Sequence, residues 1–218
     1  MQNIYGVLVG LLLTVSSYGQ FGITGGTAFT DNEEWGQIIQ TFGETPTGDF
    51  SNRGWAVGVD YWFRLKNLRV EFLPEARLSR TVSRFDTENN GNFSVDLNRF
   101  YFNFNTHIYP FDFKGDCDCP TWSKEGPTLK KGLFIRLSPG AMYRSATDGV
   151  ELDTPGYTSA LRMTMGAGLG FDIGISDFLT ITPLAEHRWY QGEDLQTVDA
   201  ATLTGWFAGV RLGIRLDD

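Results

Sequence analysis

The sequence predicts an all-β fold, an eight-stranded antiparallel up-and-down transmembrane β-barrel. Three observations lead there: a strand whose apolar face alternates with glycine, aromatic residues gathered at one end of four strands, and connections that alternate short with long. The first lies at residues 161–175, LRMTMGAGLGFDIGI. Leu161, Met163, Met165, Ala167, Leu169, Phe171, Ile173 and Ile175 occupy the odd positions, against Arg162, Thr164, Gly166, Gly168, Gly170, Asp172 and Gly174, a period of two that marks a β-strand. Glycine weakens a strand and is kept where something approaches closely. A face of glycine, arginine and aspartate therefore suits the crowded inside of a narrow barrel. The apolar face must then lie outside, which is tolerable only in lipid.

The other strands repeat the pattern. Strand one (residues 21–30) sets Phe21, Ile23 and Phe29 against Gly22, Thr24, Gly26 and Ala28. In strand two, Trp55, Val57, Val59, Tyr61 and Phe63 alternate with Gly54, Ala56, Gly58, Asp60, Trp62 and Arg64, and Lys66-Asn67 turns the chain back. Strand three opposes Leu68, Val70, Phe72, Ala76 and Leu78 to Arg69, Glu71, Leu73, Glu75 and Arg77, with Pro74 read as a bulge or local kink. A polar loop around Asn89-Asn90-Gly91 leads to strand four, where Phe100, Phe102, Phe104 and Ile108 alternate with Arg99, Tyr101, Asn103, Asn105 and His107. Strand five sets Leu133, Ile135, Leu137, Ala141 and Tyr143 against Phe134, Arg136, Ser138, Gly140, Met142 and Arg144. The glycine-faced stretch is strand six. After Ser176-Asp177, strand seven carries Leu179, Ile181, Ala185 and Trp189 opposite Thr180, Thr182, Leu184, Glu186 and Arg188. Strand eight carries Trp206, Ala208, Val210, Leu212, Ile214 and Leu216 opposite Gly205, Phe207, Gly209, Arg211, Gly213 and Arg215.

Short turns follow strands two and six, and longer acidic loops follow one, three, five and seven, as in an outer-membrane barrel with both termini on the periplasmic side. Trp55, Tyr143, Trp189 and Trp206 then fall at the loop end of four strands on the lipid face, as an aromatic girdle.

At 218 residues the chain is expected to be one domain. An apolar run from Ile4 to Val15, too short to span a bilayer, precedes the small residues Ser17 and Gly19, so residues 1–19 read as a secretory signal peptide, although no Lys or Arg precedes the run. Residues 20–218 form the barrel, with a long periplasmic connection at 110–130, and the expected location is the outer membrane of a Gram-negative-type envelope. The net charge of -8 excludes nucleic acid as a partner, since no basic stripe opposes phosphate. Basic charge within strands is arginine alone, which suits fixed pairing with carboxylates.

With its amphipathic strands, signal segment and girdle, the mature chain resembles the small eight-stranded outer-membrane barrels of the OmpA/OmpX type. The resemblance implies fold and location and carries no catalytic motif. One departure is the C-terminus, Arg215-Leu216-Asp217-Asp218, where such barrels often end on an aromatic residue.

An eight-stranded interior is only wide enough for side chains. Asp60, Glu71, Glu75, Asp172 and Glu186 should therefore meet Arg77, Arg99, Arg136, Arg162, Arg188 and Arg211 inside it, either as a structural salt-bridge plug or as a narrow anion-leaning pore. A lipid-modifying enzyme would need a histidine beside a serine and an acid near the outer surface. His187 lacks a serine two residues on, and His107 lies towards the periplasmic end, so both read as structural. Asp86, Glu88, Asn90 and Gly91 begin like a calcium loop, but Leu97 stands where a bidentate glutamate is required, and neither metal nor cofactor is expected. In the first outer loop, Trp35, Ile38, Ile39 and Phe42 at helical spacing beside Asp31, Glu33 and Glu34 leave three readings: a cap on the barrel mouth, a dip into the membrane interface, or a partner contact. Cys117 and Cys119 in the periplasmic connection are a possible disulfide; with one residue between them the ring is strained and readily reduced. Phe111, Phe113 and Trp122 flank them, which makes the segment a candidate docking loop for a periplasmic or envelope partner, with a local staple and redox chemistry as the other readings. The function expected is a non-enzymatic envelope structural or docking protein in contact with outer-membrane lipid; a narrow channel, a transport-associated barrel and a lipid-modifying enzyme are the alternatives.

Overall fold

The computed structural model describes residues 20–30, 34, 36, 38–39, 42, 46–47, 52–65, 68–87, 91–112, 132–148, 157–176, 178–191 and 202–215. Eight long strands run through them: β1 (Gln20–Thr30), β2 (Arg53–Arg64), β3 (Val70–Thr87), β4 (Gly91–Ile108), β5 (Leu133–Asp148), β6 (Tyr157–Phe171), β7 (Leu179–Gln191) and β8 (Thr202–Arg215). Each pairs antiparallel with the next. β8 also pairs with β1, from Gln20 opposite Arg215 to Thr30 opposite Gly205, and this last ladder closes the sheet into a barrel. Two short pieces complete it: Pro46–Thr47 pairs with the end of β3, and Ile173–Gly174 carries β6 past Asp172 along β7.

The inversion of the faces is visible strand by strand, with buried and exposed positions alternating around the wall. Leu161 is 76 % exposed, Phe102 59 % and Leu169 58 %, whereas Arg136, Arg144, Glu186 and Asn103 are at most 1 % exposed. Water would strip such a chain of its main stabilising force, while lipid accepts the apolar wall and leaves the polar groups to satisfy one another inside. The barrel is a transmembrane one. Trp55, Tyr143, Trp189 and Trp206 all point outward, and Trp55 and Trp189 each stand within two ladder positions of a residue paired to Trp206.

A second aromatic group sits at the opposite end of the wall, unanticipated from the sequence. The rings of Phe21 and Tyr61 lie 5.4 Å apart, those of Phe63 and Phe72 5.4 Å, and those of Phe72 and Phe104 5.6 Å. Between Trp55 and Phe63 on β2, a rise of ~3.3 Å per residue tilted by ~40° spans roughly 20 Å, close to the ~25 Å apolar band of such barrels.

Two expectations are corrected. Pro74 is not a bulge: β3 and β4 keep one register from Val70 opposite Ile108 to Thr87 opposite Gly91, with no inserted residue. Its missing N–H is accommodated instead where β3 bonds to β2, since no pairing joins them between Asp60 opposite Glu75 and Phe63 opposite Phe72. Likewise, the connection after β3 is not a long loop, because both strands run on as a hairpin to Thr87 and Gly91. Leu97, the position that spoils the calcium motif, faces inward in β4 and is buried.

Candidate functional site

Inward positions of all eight strands converge on a lumen in which charges are stacked in three layers. The central layer is held by two carboxylates. Glu75 on β3 accepts hydrogen bonds from Arg77 Nη2 at 2.9 Å, Arg136 Nη2 at 2.9 Å and Asn105 Nδ2 at 2.9 Å. Glu186 on β7 pairs with Arg136 Nε at 3.0 Å, with Arg77 at 3.7 Å and with its own strand neighbour Arg188. Arg188 in turn donates to Asn103 Oδ1 at 2.6 Å. Two acids thus bind three guanidinium groups from β3, β5 and β7 across the bore, which only a barrel this narrow permits.

The layer at the end where β1 begins and β8 ends is built differently from expectation. Asp60 accepts both forks of Arg211, at 2.8 and 2.6 Å. Glu71 and Asp172 instead share the hydroxyl of Tyr109, at 2.8 and 2.5 Å, with Trp62 donating to Glu71 at 2.7 Å and Thr182 to Asp172. Tyr109 is fully buried directly after β4, and the Arg69 guanidinium lies 4.2 Å from its ring centre while pairing with Asp112. The start of the long connection is therefore fastened to the barrel floor.

In the outer layer the acid comes from the first loop. Glu34 accepts from Arg99 Nη2 at 2.6 Å and from Tyr190 at 2.7 Å, and faces Arg144 at 3.6 Å. Burial alone would raise this carboxyl; Arg99 and Arg144 outweigh it and hold it below its ordinary value. One helical turn further on, Ile38 and Ile39 pack on Val95, Leu97 and Ala146, with Phe42 against them. Of the three readings of this loop, the structure shows the cap on the mouth.

Close approach explains the glycines on the inner face. A Cβ on Gly166 would stand 2.5 Å from a Glu186 carboxylate oxygen, and one on Gly170 would stand 2.2 Å from the Phe134 ring. That ring is stacked on His107 with centres 3.9 Å apart. His187 is on the opposite side of the wall, its ring 4.5 Å from Trp189 and 4.4 Å from Trp206. Each histidine is thus packed among rings.

Of the residues expected in the lumen, Asp60, Glu75, Glu186, Arg77, Arg136, Arg188 and Arg211 are joined directly, Arg99 meets Glu34, Glu71 meets Asp172 through Tyr109, and Arg162 is buried on the same inner face. The lumen network expected from the sequence omits Glu34, Arg69 and Arg144, although the alternation sets Arg69 and Arg144 on inner faces and Glu34 falls in the first loop, and it misses Tyr109. The alternation of β5 pointed to Arg144, and the four-residue spacing of Glu34 to Ile38 placed both on one helical face. Residues 1–19, together with Phe113, Cys117, Cys119 and Trp122, lie outside the described residues; Phe111 is exposed.

No protein-family model matches the chain, and no curated protein sequence matches it. Among solved structures, Ail, the attachment invasion locus protein of Yersinia pestis, is similar over 90 % of this chain and 99 % of its own, with a TM-score of 0.48 and 14 % identity. Neisserial surface protein A is similar over 92 % and 98 %, with a TM-score of 0.44 and 6 % identity. The N-terminal β-barrel domain of Pseudomonas aeruginosa OprF is similar over 91 % and 97 %, with a TM-score of 0.39 and 13 % identity.

Proposed function

We propose that the chain is a non-enzymatic outer-membrane barrel, a rigid platform in the envelope that holds a capped outer face and offers the 110–130 connection to a periplasmic or envelope partner. What supports this most is the filled lumen. Three guanidinium groups and two carboxylates cross the bore at its middle, Glu34 and the isoleucine cap close it above, and Tyr109 with Arg69 and Asp112 close it below. A cavity of about 30 Å³, lined by Arg77, Arg99, Arg188, Tyr101 and Tyr190 among others, remains between the central and outer layers, room for a water molecule or two. Neither histidine lends support to the enzyme alternative, since catalysis requires a base within reach of a nucleophile and both rings pack against aromatic neighbours.

The docking part of the reading rests on the floor of the barrel. Asp112 is tied to Arg69, so the segment that follows leaves from a fixed point, and Phe111 stands exposed beside it. A fixed origin lowers the ordering cost of binding. Replacing residues 113–130 with a tight turn should leave heat-modifiable migration intact and abolish one or more crosslinks to envelope proteins in intact cells. Unchanged crosslinks would reduce the segment to a decorated turn, and loss of folding would make it part of the barrel's structure.

A further inference from the structure

On the outward faces, charge among the described side chains is confined to one place. Among the described side chains, the charged ones on the outer wall are Arg53 on β2, Arg80 and Arg84 on β3, and Asp96 on β4. All four sit at the outer ends of adjacent strands, while every buried arginine faces the lumen. We propose that Arg53, Arg80 and Arg84 form a binding site for the phosphate groups of a glycolipid headgroup in the outer leaflet; this rests on the membrane-spanning reading of the barrel.

Register brings the three together. Trp55 of the girdle pairs with Arg80, and the same register carried outward sets Arg53 beside Val82, between Arg80 and Arg84 on one face. Diagonal neighbours on a sheet face lie ~7–8 Å apart, within reach of long side chains converging on one or two phosphates. Depth agrees as well. Arg53 lies two residues outward of Trp55, or about 5 Å along the barrel axis at the rise and tilt of a barrel strand, and girdle aromatics mark the headgroup level. Arginine at this depth extends its charge to the interface, and its planar fork matches phosphate oxygens in a way that a lysine point charge does not.

A purely structural role accounts poorly for the cluster. Arg80 is bound by Asp96 through both Nε and Nη2, yet the pair is solvent-accessible, with side-chain exposures of 48 % and 29 %, and such pairs contribute little stability. Arg53 lies 5.6 Å from the Phe29 ring centre, a packing that leaves its charge at the surface. Among the described side chains at this level, three cations face one carboxylate, and an anion that joins Arg53 and Arg84 relieves their mutual repulsion. A protein partner is disfavoured because the patch is continuous with the lipid-facing girdle. Asp96 is then an internal competitor that occupies Arg80 when no phosphate is present.

The test uses the full chain folded into phosphatidylcholine nanodiscs doped with bis-phosphorylated lipid A, with bound lipid counted by native mass spectrometry after release into detergent. The wild type should retain lipid A. The R53Q/R80Q/R84Q variant should lose about tenfold or more of that retention, since even one charge-assisted contact is worth about a factor of ten. Dephosphorylated lipid A should not be retained, and D96N, by releasing Arg80, should retain more than the wild type. Equal retention by wild type and a heat-modifiable triple variant overturns the proposal, as does complete displacement of lipid A by millimolar inorganic phosphate, which would mark a free-anion site. Should the triple variant fail to fold, R53Q and R84Q singly carry the same comparison. Failure of the wild type to enter nanodiscs at all would refute the membrane reading instead.

Discussion

Glu75 shows how much one residue can hold in a lumen of this width. It takes hydrogen bonds from Arg77, Arg136, Asn103 and Asn105, on three strands, and is buried. Removing the carboxylate leaves two guanidinium groups buried beside an overworked Glu186. Glu75→Ala should therefore cost about 3–5 kcal/mol, the penalty of breaking a buried pair from one side, in reversible urea unfolding from lipid vesicles. Gly170 tests the opposite limit, a place where nothing can be added. A methyl there meets the Phe134 ring at 2.2 Å, and that ring cannot retreat without leaving His107. Gly170→Ala should destabilise by about 1–3 kcal/mol in the same assay, and a neutral result would mean that the stacked pair is free to shift.

At the scale of elements, most of the wall was legible because a half-buried strand writes its two faces into alternate residues. Leu169 faces lipid and Gly170 faces the lumen as their positions require. Leu169→Arg should impair folding into a bilayer by about 2–4 kcal/mol, and equal tolerance of arginine at Leu169 and at an exposed loop site would count against the inverted barrel. Lipid-facing alternation says nothing about where a strand leaves the membrane, which is why the β3–β4 hairpin ran further than expected: beyond Arg80, Arg84, Ser94 and Asp96 interrupt the apolar outward face while the ladder continues. The missed lumen residues have a similar cause. Glu34 and Tyr109 lie outside the strands, where no period of two marks a face, and their roles follow from the distant Arg99, Arg144, Glu71 and Asp172 that they meet. The capping loop carries a pH signature of its own. Glu34 titrates below its ordinary value of 4.5 when docked, so its contribution is complete above that value and is lost as the pH falls through the lower docked one. Hydrogen-exchange protection at the Ile38 and Ile39 amides, corrected for intrinsic rates, should hold from about pH 7 to about pH 5 and fall in stronger acid; Glu34→Gln should lower it at neutral pH and remove the acid transition.

For the whole molecule, the charge network that fills the lumen among the described residues is a consequence of strand number. Eight strands give an interior just wide enough for side chains, so an ion crossing the barrel must pass between Glu75, Glu186, Arg77, Arg136 and Arg188, where Arg77 and Arg136 hold Glu75 at 2.9 Å and Arg136 holds Glu186 at 3.0 Å. Above that layer, the cavity of about 30 Å³ is enough for water and is lined by Arg77, Arg99 and Arg188. Moving an ion through would mean breaking several charge-assisted bonds at once in surroundings with little solvent to replace them. The folded chain in planar bilayers should therefore give no large, stable conductance. Reproducible porin-sized steps from the wild type would show that these pairs open together, would remove the plug as the support for a structural and docking role, and would favour transport as the function of the barrel.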